Sequence, residues 1–414
     1  MLAIFPMKTP AAGFTLLLAA LFSVSAGTAA AAPHPNPDGA PPHPARNPGS
    51  RIMLSGPWVP ADPHTIDFDR LPRLPVQHAV ISDVRPQNGV NQHNYLAHFD
   101  GRFWVMWSDG PSVEDKAGQM VKYSTSRDGL VWAPTRMLTG YPPHSGPDSP
   151  VYNTSNPGGF RYFSRGLWVR ENRLLALVAR DNVGGPSFGD QLELRAWGWN
   201  ETADQWDELG LVQRNTLNNF PPQRLPTGEW GESRRKYDTA RSGVDFLIGG
   251  VGGLDRWEAF PVMRSETSAL KASEPVWWTL PDHSLVMLFR DNARSHYLYR
   301  SFSTDSGRTW STPAMTDFPD AVAKTHVRRL TDGRYVLVSN SNPKKRDPLT
   351  LAVSRDGLVF DRLFHLVGGR QVDYPHVLEH DGHLFIAFSG RKQTIEILRV
   401  RVADLDAPPM PARQ

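Results

Sequence analysis

The sequence of 414 residues contains no cysteine, so disulfides are excluded and no acceptor thiol for a lipid anchor exists. A packed core alone must therefore stabilise the fold. Basic clusters are also scarce, because the formal net charge is +3 and the longest basic stretch is "PKKRD". Nucleic-acid binding normally needs a concentrated basic patch, so we expect no nucleic-acid partner. From about Ile66 onward helical periodicity is almost absent, which disfavours a helical fold.

The N-terminal segment has the pattern of an export signal. Residues 1–32 contain a single Lys8, the apolar core "FTLLLAALFSVSA" and a small-residue cleavage region at residues 30–32. The apolar core is too short to span a bilayer comfortably, which makes an uncleaved anchor the less favoured alternative. We expect a bacterial periplasmic or secreted protein with no stable membrane association after cleavage. Residues 33–64 are rich in proline and poor in apolar residues, and they predict a flexible lead-in.

Short apolar runs separated by turn signals make up most of the remaining chain. Runs such as "RFWVMW", "LLALVA" and "HLFIAFS" alternate with turns such as "FDGR", "TDGR" and "EHDGH". The 37 prolines and 34 glycines suit many tight turns between short strands. We therefore predict an all-β domain over residues 65–405 and a disordered tail over residues 406–414.

One turn pattern recurs along the chain. "STSRDGLVW", "SFSTDSGRTW" and "AVSRDGLVF" share Ser, Asp and Gly at alternate or near-alternate positions and end in an aromatic residue, and "WGWNETADQW" is a weaker relative. Asp128, Asp305 and Asp356 mark the three clear copies. Asp305 and Asp356 are 51 residues apart, about one four-stranded sheet with its loops. Roughly 340 residues at that period predict a β-propeller of six blades, with seven as the alternative.

These repeats resemble the Asp boxes of the bacterial neuraminidase repeat, and the chain is similar to the sialidase superfamily of propellers. In that family the box is a structural turn at the rim, so Asp128, Asp305 and Asp356 are expected to have no catalytic role. The resemblance implies an exo-acting glycosidase that removes a terminal acidic, sialic-acid-like sugar. It implies no cofactor and an acidic oligosaccharide or glycoconjugate as substrate.

The family's functional pattern matches four positions of the C-terminal half in the expected order. Glu274 begins a hairpin that Arg290 ends before an Asp box, and Arg346 precedes the next box. Tyr374 precedes the last hairpin. The resemblance implies that Arg290 and Arg346 bind the substrate carboxylate through paired donors, whereas Tyr374 is the nucleophile and Glu274 its base. A structural ion pair between blades is the alternative for Glu274 and Arg290.

The N-terminal half departs from the family pattern. His93 occupies the place of the family's first-blade arginine, and Gln119 lies at the position expected for the acidic residue that acts as general acid. Glu114 and Asp115 are close by in sequence, so Asp115 or Glu114 is expected to act as the acid. His93 would contact the carboxylate more weakly than arginine and in a pH-dependent way.

A second family accounts for the histidine. Propeller-type uronate lyases are similar to sialidases but use His, Tyr and Arg for β-elimination, which requires a neutralised carboxylate, a base and an acid. In this alternative His93 and Tyr162 share the proton transfers, and Arg165 or Arg180 neutralises the uronate. Tyr237 is a further candidate near the site.

A third alternative is a glycan-binding propeller without catalysis, because the first arginine and the usual acid are missing. No set of His and carboxylate residues has metal-ligand spacing, so we predict no metal site. We expect a monomer. The hydrolase hypothesis makes a geometric demand: Glu274, Arg290, Arg346, Tyr374 and His93 must converge on one pocket.

Overall fold

A computed structural model describes residues 49–406 except 58, 185–187, 189–190, 237–242 and 265–268. The predicted export signal, most of the lead-in, Tyr237 and residues 407–414 lie outside the described residues. Helices within the described ranges are short 3-10 turns, at Pro63–Thr65, Arg85–Gln87 and Val402–Asp406. None of them has the length and apolar character of a membrane span.

Within the described ranges twenty-five strands form six antiparallel sheets, which confirms the all-β fold and the six-bladed propeller. Blade one has β2 (Val90–Phe99), β3 (Arg102–Gly110), β4 (Met120–Ser126) and β5 (Arg136–Met137), and blade two has β6 (Phe160–Arg170), β7 (Arg173–Asn182), β8 (Glu193–Asn200) and β9 (Gln205–Arg214). Blade three has β10 (Leu217–Asn218), β11 (Gln223–Arg224), β12 (Trp230–Lys236), β13 (Gly243–Gly249) and β14 (Trp257–Arg264). Blade four has β15 (Ala272–Thr279), β16 (Leu285–Asp291), β17 (Tyr297–Ser303) and β18 (Ala314–Pro319), and blade five has β19 (His326–Arg329), β20 (Tyr335–Ser339), β21 (Leu349–Ser354) and β22 (Phe360–Val367).

Blade six joins the two ends of the domain. It contains β23 (Val372–His380), β24 (His383–Gly390), β25 (Thr394–Arg401) and, as its fourth strand, β1 (Gln77–Asp83). The register runs from Gln77 opposite Arg399 to Asp83 opposite Thr394. The N-terminal strand β1 therefore completes blade six through main-chain hydrogen bonds to β25, and this pairing closes the ring.

Strands in the middle of each blade are buried on both faces, since each blade packs between two others. In β16 the sequence "LVMLF" is buried at every position, which explains why the middle strands appear as continuous apolar runs without alternation. The largest core cluster contains Tyr95, Trp104, Trp278 and Tyr335 from blades one, four and five. The apolar packing thus holds the blades around one axis.

The repeated Asp turns connect the third and fourth strands of blades one, four and five. In the turn after β17, Ser303 Oγ donates to Asp305 Oδ1 at 2.8 Å, and the same oxygen accepts the N–H of Thr309 at 2.8 Å. Trp310 then packs against Phe246 of the preceding blade, with ring centroids 5.3 Å apart. The carboxylate organises the turn and is not directed at the axis, in agreement with a structural role for these residues.

The end of the predicted lead-in is packed against the propeller. Asp317 Oδ1 accepts the N–H groups of Met53 and Leu54 at 2.8 and 2.9 Å, and Leu54 forms a parallel bridge with Phe360. Met53 and Leu54 are fully buried. The described part of residues 33–64 therefore differs from a flexible segment, because these two apolar side chains occupy a groove between blades four and five.

The glycine of the fourth-blade box gives a stability prediction. Gly307 has a φ of +94°, and a Cβ there would lie 2.3 Å from the Phe246 ring, whereas Gly333 has a φ of +91° with open space around it. Both substitutions to alanine incur backbone strain, but only Gly307→Ala adds a steric clash. We expect Gly307→Ala to lower the free energy of unfolding by about 1–3 kcal/mol more than Gly333→Ala. Urea denaturation of the two variants measures the difference, and equal losses would contradict the packing of this turn.

Candidate active site

The inner strands of three blades share an unusual backbone feature. The pairing register shifts between Gln92 and Tyr95 in β2, between Ser273 and Val276 in β15, and between Asp373 and His376 in β23. Within these shifts His93, Glu274 and Tyr374 have φ values of 52°, 47° and 58°. Residues other than glycine rarely adopt this left-handed region, and such strain is concentrated at functional sites. A fourth shift, between Ser164 and Gly166 in β6, contains Arg165.

Glu274 and Arg290 form an ion pair at the end of the β15–β16 hairpin. Arg290 Nη1 donates to Glu274 Oε2 at 2.5 Å, and Arg290 Nε donates to Asn292 Oδ1 at 3.0 Å. Burial by itself would raise the pKa of Glu274, but Arg290 and then Arg235 outweigh this effect and hold the pKa at about 2. Glu274 is therefore a buried, permanently ionised carboxylate next to an arginine.

Tyr374 lies beside a different carboxylate. Its hydroxyl donates to Glu114 Oε1 at 3.0 Å, and its ring lies 4.1 Å from the imidazole of His93, measured between centroids. Burial, followed by the negative charges of Glu114 and Glu274, raises the pKa of Tyr374 well above its ordinary value. The phenol therefore remains protonated and has an acceptor within hydrogen-bond distance.

Glu114 is held by groups from blades one and six. Besides Tyr374 it contacts Lys392 Nζ through Oε2, and His93 Nε2 lies 3.7 Å from its Oε1. Burial opposes its ionisation, yet the approach of His93 and the charge of Lys392 keep the pKa of Glu114 below its usual range. Burial, aided by Arg165, lowers the pKa of His93 to about 3, so this imidazole is neutral at neutral pH.

Arg346 lies next to the same pocket. Its Nη1 donates to Asp373 Oδ1 and its Nη2 to the Val322 carbonyl, both at 2.6 Å. Arg346 acts electrostatically on Tyr374 and, together with Arg290, on Asp320. Both guanidinium groups are partly exposed, with side-chain exposures of 24% for Arg346 and 16% for Arg290. Two partly exposed cations therefore lie in this cluster, Arg346 acting on Tyr374 and Arg290 paired with Glu274.

Asp115 lies in the loop between β3 and β4. Arg161 Nη1 donates to the Asp115 carbonyl at 2.9 Å and lies 3.8 Å from its Oδ1. Burial raises the pKa of Asp115, Arg161 opposes this effect, and the neighbouring Glu114 adds to it. The side chain is 38% exposed, which gives a solvent-accessible carboxyl group with an increased affinity for its proton.

Three buried side chains close the propeller axis below these groups. Lys324 Nζ donates to the Tyr95 hydroxyl at 2.9 Å and lies 4.4 Å from the centre of the Phe220 ring, and the Tyr95 hydroxyl donates to the Asn219 carbonyl at 2.9 Å. We call Tyr95, Phe220 and Lys324 the axial floor. Arg165, also fully buried, acts electrostatically on Tyr95 and Glu274 and carries a positive charge next to this floor.

The structure therefore brings together most of the residues that the sequence suggested. His93, Glu274, Arg290, Arg346 and Tyr374 belong to one connected cluster. Arg290 pairs with Glu274, Glu274 and Arg346 both act electrostatically on Tyr374, and the His93 ring packs against the Tyr374 ring. Asp115 lies at its edge and Arg165 at its base, as the contacts above place them.

Three other candidates lie apart from this pocket. Tyr162 packs in the core against Trp197, with ring centroids 5.7 Å apart, and Arg180 pairs with Glu193 at 2.8 Å. Gln119 is fully buried, and its amide donates to the Tyr162 carbonyl at 2.8 Å. The side chains of Arg180 and Gln119 therefore make polar contacts within and between blades.

Several residues of the pocket were not identified from sequence, among them Lys392, Arg161 and Asp320. A signal for Lys392 existed, because β23 and β24 form a hairpin in which Val372 lies opposite Gly390. The hairpin geometry that brings Glu274 beside Arg290 also brings the loop after Gly390 beside Tyr374. Asp320 lies in an irregular loop between blades four and five, and no local pattern distinguishes it.

Comparisons with known proteins agree with this architecture. The BNR repeat-like domain family matches residues 250–386, and no curated protein sequence shows a significant match. An intramolecular trans-sialidase from Ruminococcus gnavus, solved with oseltamivir carboxylate, superposes with a TM-score of 0.63 at 12% identity, covering 80% of this chain and 99% of that chain. A Trypanosoma rangeli sialidase mutant displaying trans-sialidase activity gives 0.62 at 13% identity, covering 81% of this chain and 60% of that longer chain.

A protein of unknown function from Dyadobacter fermentans is similar to the same degree. Its TM-score is 0.62 at 14% identity, covering 79% of this chain and 99% of that chain. At such identities the similarity shows a shared fold, and the chemistry has to be argued from the pocket itself.

The buried Asp320 gives a prediction for pH dependence. Burial raises its pKa from 3.8 to about 7, although the Ala323 N–H, Arg290 and Arg346 act in the opposite direction. The folded chain thus retains a proton that the unfolded chain releases, so this contribution to stability is complete below pH about 4 and is lost as the pH rises through about 7. Asp320→Asn should remove this part of the pH dependence, at most about 1.4 kcal/mol per pH unit.

Urea denaturation between pH 4 and 8 measures this effect. Asp100→Asn, in the exposed turn between β2 and β3, is the matched control and should retain the wild-type profile. Parallel profiles for Asp320→Asn and the wild type would show that the carboxyl group is ionised throughout this range.

Proposed function

The chain is a six-bladed, sialidase-like propeller with BNR-type repeats, and from this premise we propose that it is a glycoside hydrolase that releases a terminal acidic sugar. The observation that supports this proposal best is the Tyr374 hydroxyl, hydrogen-bonded to Glu114 at 3.0 Å and within the electrostatic reach of Arg346. A tyrosine with an adjacent carboxylate and cations is the arrangement that a nucleophilic phenol needs.

The proposed reaction uses each group according to its environment. Arg290 and Arg346 bind the sugar carboxylate, since guanidinium groups offer paired donors to a planar anion. Tyr374 Oη attacks the anomeric carbon while its proton passes to Glu114 Oε1, and Asp115 gives its proton to the leaving oxygen as the glycosidic bond breaks. Water then attacks the anomeric carbon of the tyrosyl–sugar intermediate and gives a proton to Asp115. The bond to Tyr374 Oη breaks, and the phenol recovers its proton from Glu114 Oε1. A neutral phenol avoids the repulsion that a carboxylate nucleophile would meet beside an anionic sugar.

Glu114 is assigned as the base in preference to Glu274. Glu274 is engaged by Arg290 at 2.5 Å, whereas Glu114 accepts the phenol hydrogen bond directly. Glu274 therefore orients Arg290 and contributes negative charge beneath the sugar, where positive charge develops in the transition state. His93 packs against the Tyr374 ring as a neutral imidazole, and the positive charges of Arg165 and Lys324 help to keep it neutral.

Because the axial floor closes the propeller axis, an enzyme that acts on the end of a glycan chain is favoured. The axial floor fills the channel directly below the pocket, so a polysaccharide has no path through the propeller. A terminal sugar, in contrast, enters the pocket from one side. The export signal predicted for residues 1–32 would bring such an enzyme to extracellular or periplasmic glycans.

The uronate-lyase alternative has less support. Tyr162 and Arg180 are engaged with Trp197 and Glu193, away from the pocket. A histidine with a pKa of about 3 is also a poor base for removing a carbon-bound proton. An unsaturated product with ultraviolet absorbance, formed from a uronate polysaccharide and abolished by His93→Ala, would nevertheless favour elimination over hydrolysis.

The nucleophile gives the first activity prediction. Tyr374→Phe removes the attacking oxygen and retains the ring, so kcat/KM for an aryl sialoside should fall at least about a thousandfold. Tyr299→Phe, on the third strand of blade four, is the control and should retain activity. Release of the aryl group measured by fluorescence gives both values. Absence of hydrolysis in the wild-type protein, together with retained binding of sialic acid, would identify a binding propeller instead.

The general acid gives the second activity prediction. Asp115→Asn should lower kcat/KM by about 10²–10⁴ for a sialyl-lactose substrate, whose leaving alcohol needs a proton. For an aryl sialoside with an acidic leaving phenol the loss should be far smaller, because protonation is no longer required. Asp148→Asn, at an exposed position of the loop before β6, is the matched control. Equal losses of kcat/KM on the two substrates would show that Asp115 is not the general acid.

A further inference from the structure

A second concave site lies on the other side of the axial floor. The inner strands run from the candidate active site toward it: His93 precedes Leu96 in β2, Glu274 precedes Trp278 in β15, and the second residue of each pair lines this cavity. Its volume is about 450 Å³, within the range of small-molecule sites. We call it the distal cavity.

Two histidines line the distal cavity in a defined protonation state. The Val377 N–H donates to His326 Nδ1 at 2.9 Å, and the Leu96 N–H donates to His376 Nδ1 at 3.1 Å. A nitrogen that accepts a hydrogen bond carries no proton, so both imidazoles are neutral and protonated at Nε2. Burial also lowers the pKa of each well below its ordinary value.

The Nε2–H groups are donors without a protein acceptor. Neither His326 Nε2 nor His376 Nε2 has a hydrogen-bond partner among the described residues, and neither is among the fully buried atoms without a partner, so both are accessible from the cavity. The rings are stacked, with centroids 4.3 Å apart and planes inclined by 16°, so they present their edges as a pair. Donors that face a cavity bind water when no ligand is present, and a bound acceptor would take the place of that water.

The remaining polar lining favours an anion. Arg328 lies at the cavity wall and forms no ion pair among the described residues, while the nearby Glu379 is bound by Thr331 at 2.7 and 2.8 Å. None of the described residues that line the cavity is Asp or Glu. A metal ion does not suit the site, because the Nε2 atoms carry protons and offer no lone pair.

The aromatic residues of the cavity wall indicate the shape of the part of the ligand that is not charged. Phe220 stacks on His326 with centroids 4.5 Å apart, and Trp278 lines the same cavity. Flat aromatic surfaces bind the face of a sugar ring or of an aromatic ring. We propose that the distal cavity is a second binding site, for a small ring-shaped carboxylate whose oxygens accept the two Nε2–H groups and the Arg328 guanidinium. This site is separate from the proposed catalytic pocket and does not depend on it.

Calorimetric titration of the wild-type protein tests the proposal with three probes. Methyl glucuronide and methyl glucoside differ only in the carboxylate, and benzoate replaces the sugar by an aromatic ring. We expect at least one carboxylate to bind and the glucoside to bind at least tenfold more weakly. Preference for glucuronide or for benzoate distinguishes a sugar acid from an aromatic acid. Measurable and equal binding of glucuronide and glucoside, or no binding of either carboxylate, would overturn the proposal.

Variants locate the binding. Arg328→Gln should weaken carboxylate binding about tenfold, the loss expected for one charge-assisted contact, and His326→Asn and His376→Asn should act similarly. Asparagine retains an acceptor near the Nδ1 position and removes the Nε2–H group. Arg127→Gln, at an exposed turn in blade one, is the charge-matched control and should bind as the wild type does.

Two further measurements separate this site from the catalytic pocket. Arg328→Gln should retain the wild-type rate of sialoside hydrolysis, and Arg346→Gln, which removes a carboxylate contact of the catalytic pocket, should retain carboxylate binding in the distal cavity. If the histidine variants do not fold, Arg328→Gln still decides the question, because its side chain does not pack in the core. Unchanged affinity in Arg328→Gln, or loss of affinity in Arg346→Gln, would refute a distal site.

Discussion

The closure of the ring by β1 and β25 is the constraint on which the remaining structure depends. No blade can bury both of its faces alone, so every apolar run is stabilised only when two neighbours are present. The pairing of Gln77–Asp83 with Thr394–Arg401 provides the last neighbour. It also fixes the six inner strands around one axis, so that polar residues far apart in sequence meet there.

Burial of charge near that axis explains the chemistry of the candidate site. Burial by itself would neutralise Glu274 and Glu114, but Arg290 and Lys392 keep both ionised. The same burial keeps the Tyr374 phenol protonated and the His93 imidazole neutral. The pocket therefore combines permanent anions, permanent cations and a neutral nucleophile, and the axial floor separates it from the distal cavity, whose histidines are neutral for the same reason.

Local pattern predicted much of this molecule. The Asp turns at Asp128, Asp305 and Asp356 indicated the blades, since a carboxylate, a glycine with positive φ and an aromatic residue are needed within one short turn. Hairpin geometry placed Glu274 beside Arg290, because antiparallel pairing returns the chain to the end from which it started. The alternation of side chains along β6 did not predict which face of the strand meets the pocket, because the register shift at Arg165 reverses the faces on which the residues lie. Tyr162 accordingly packs in the core.

The sequence by itself determined the all-β class, the blade turns and the pairing of charges within a hairpin, because each of these depends on residues close together in the chain. Only the tertiary structure decided the partner of Tyr374. Glu114 is 260 residues away from it, and Lys392 reaches the same carboxylate from blade six. The axial floor likewise combines Tyr95, Phe220 and Lys324 from three blades. Such contacts depend on how many blades close the ring and on the direction of each inner strand, and no local pattern contains that information.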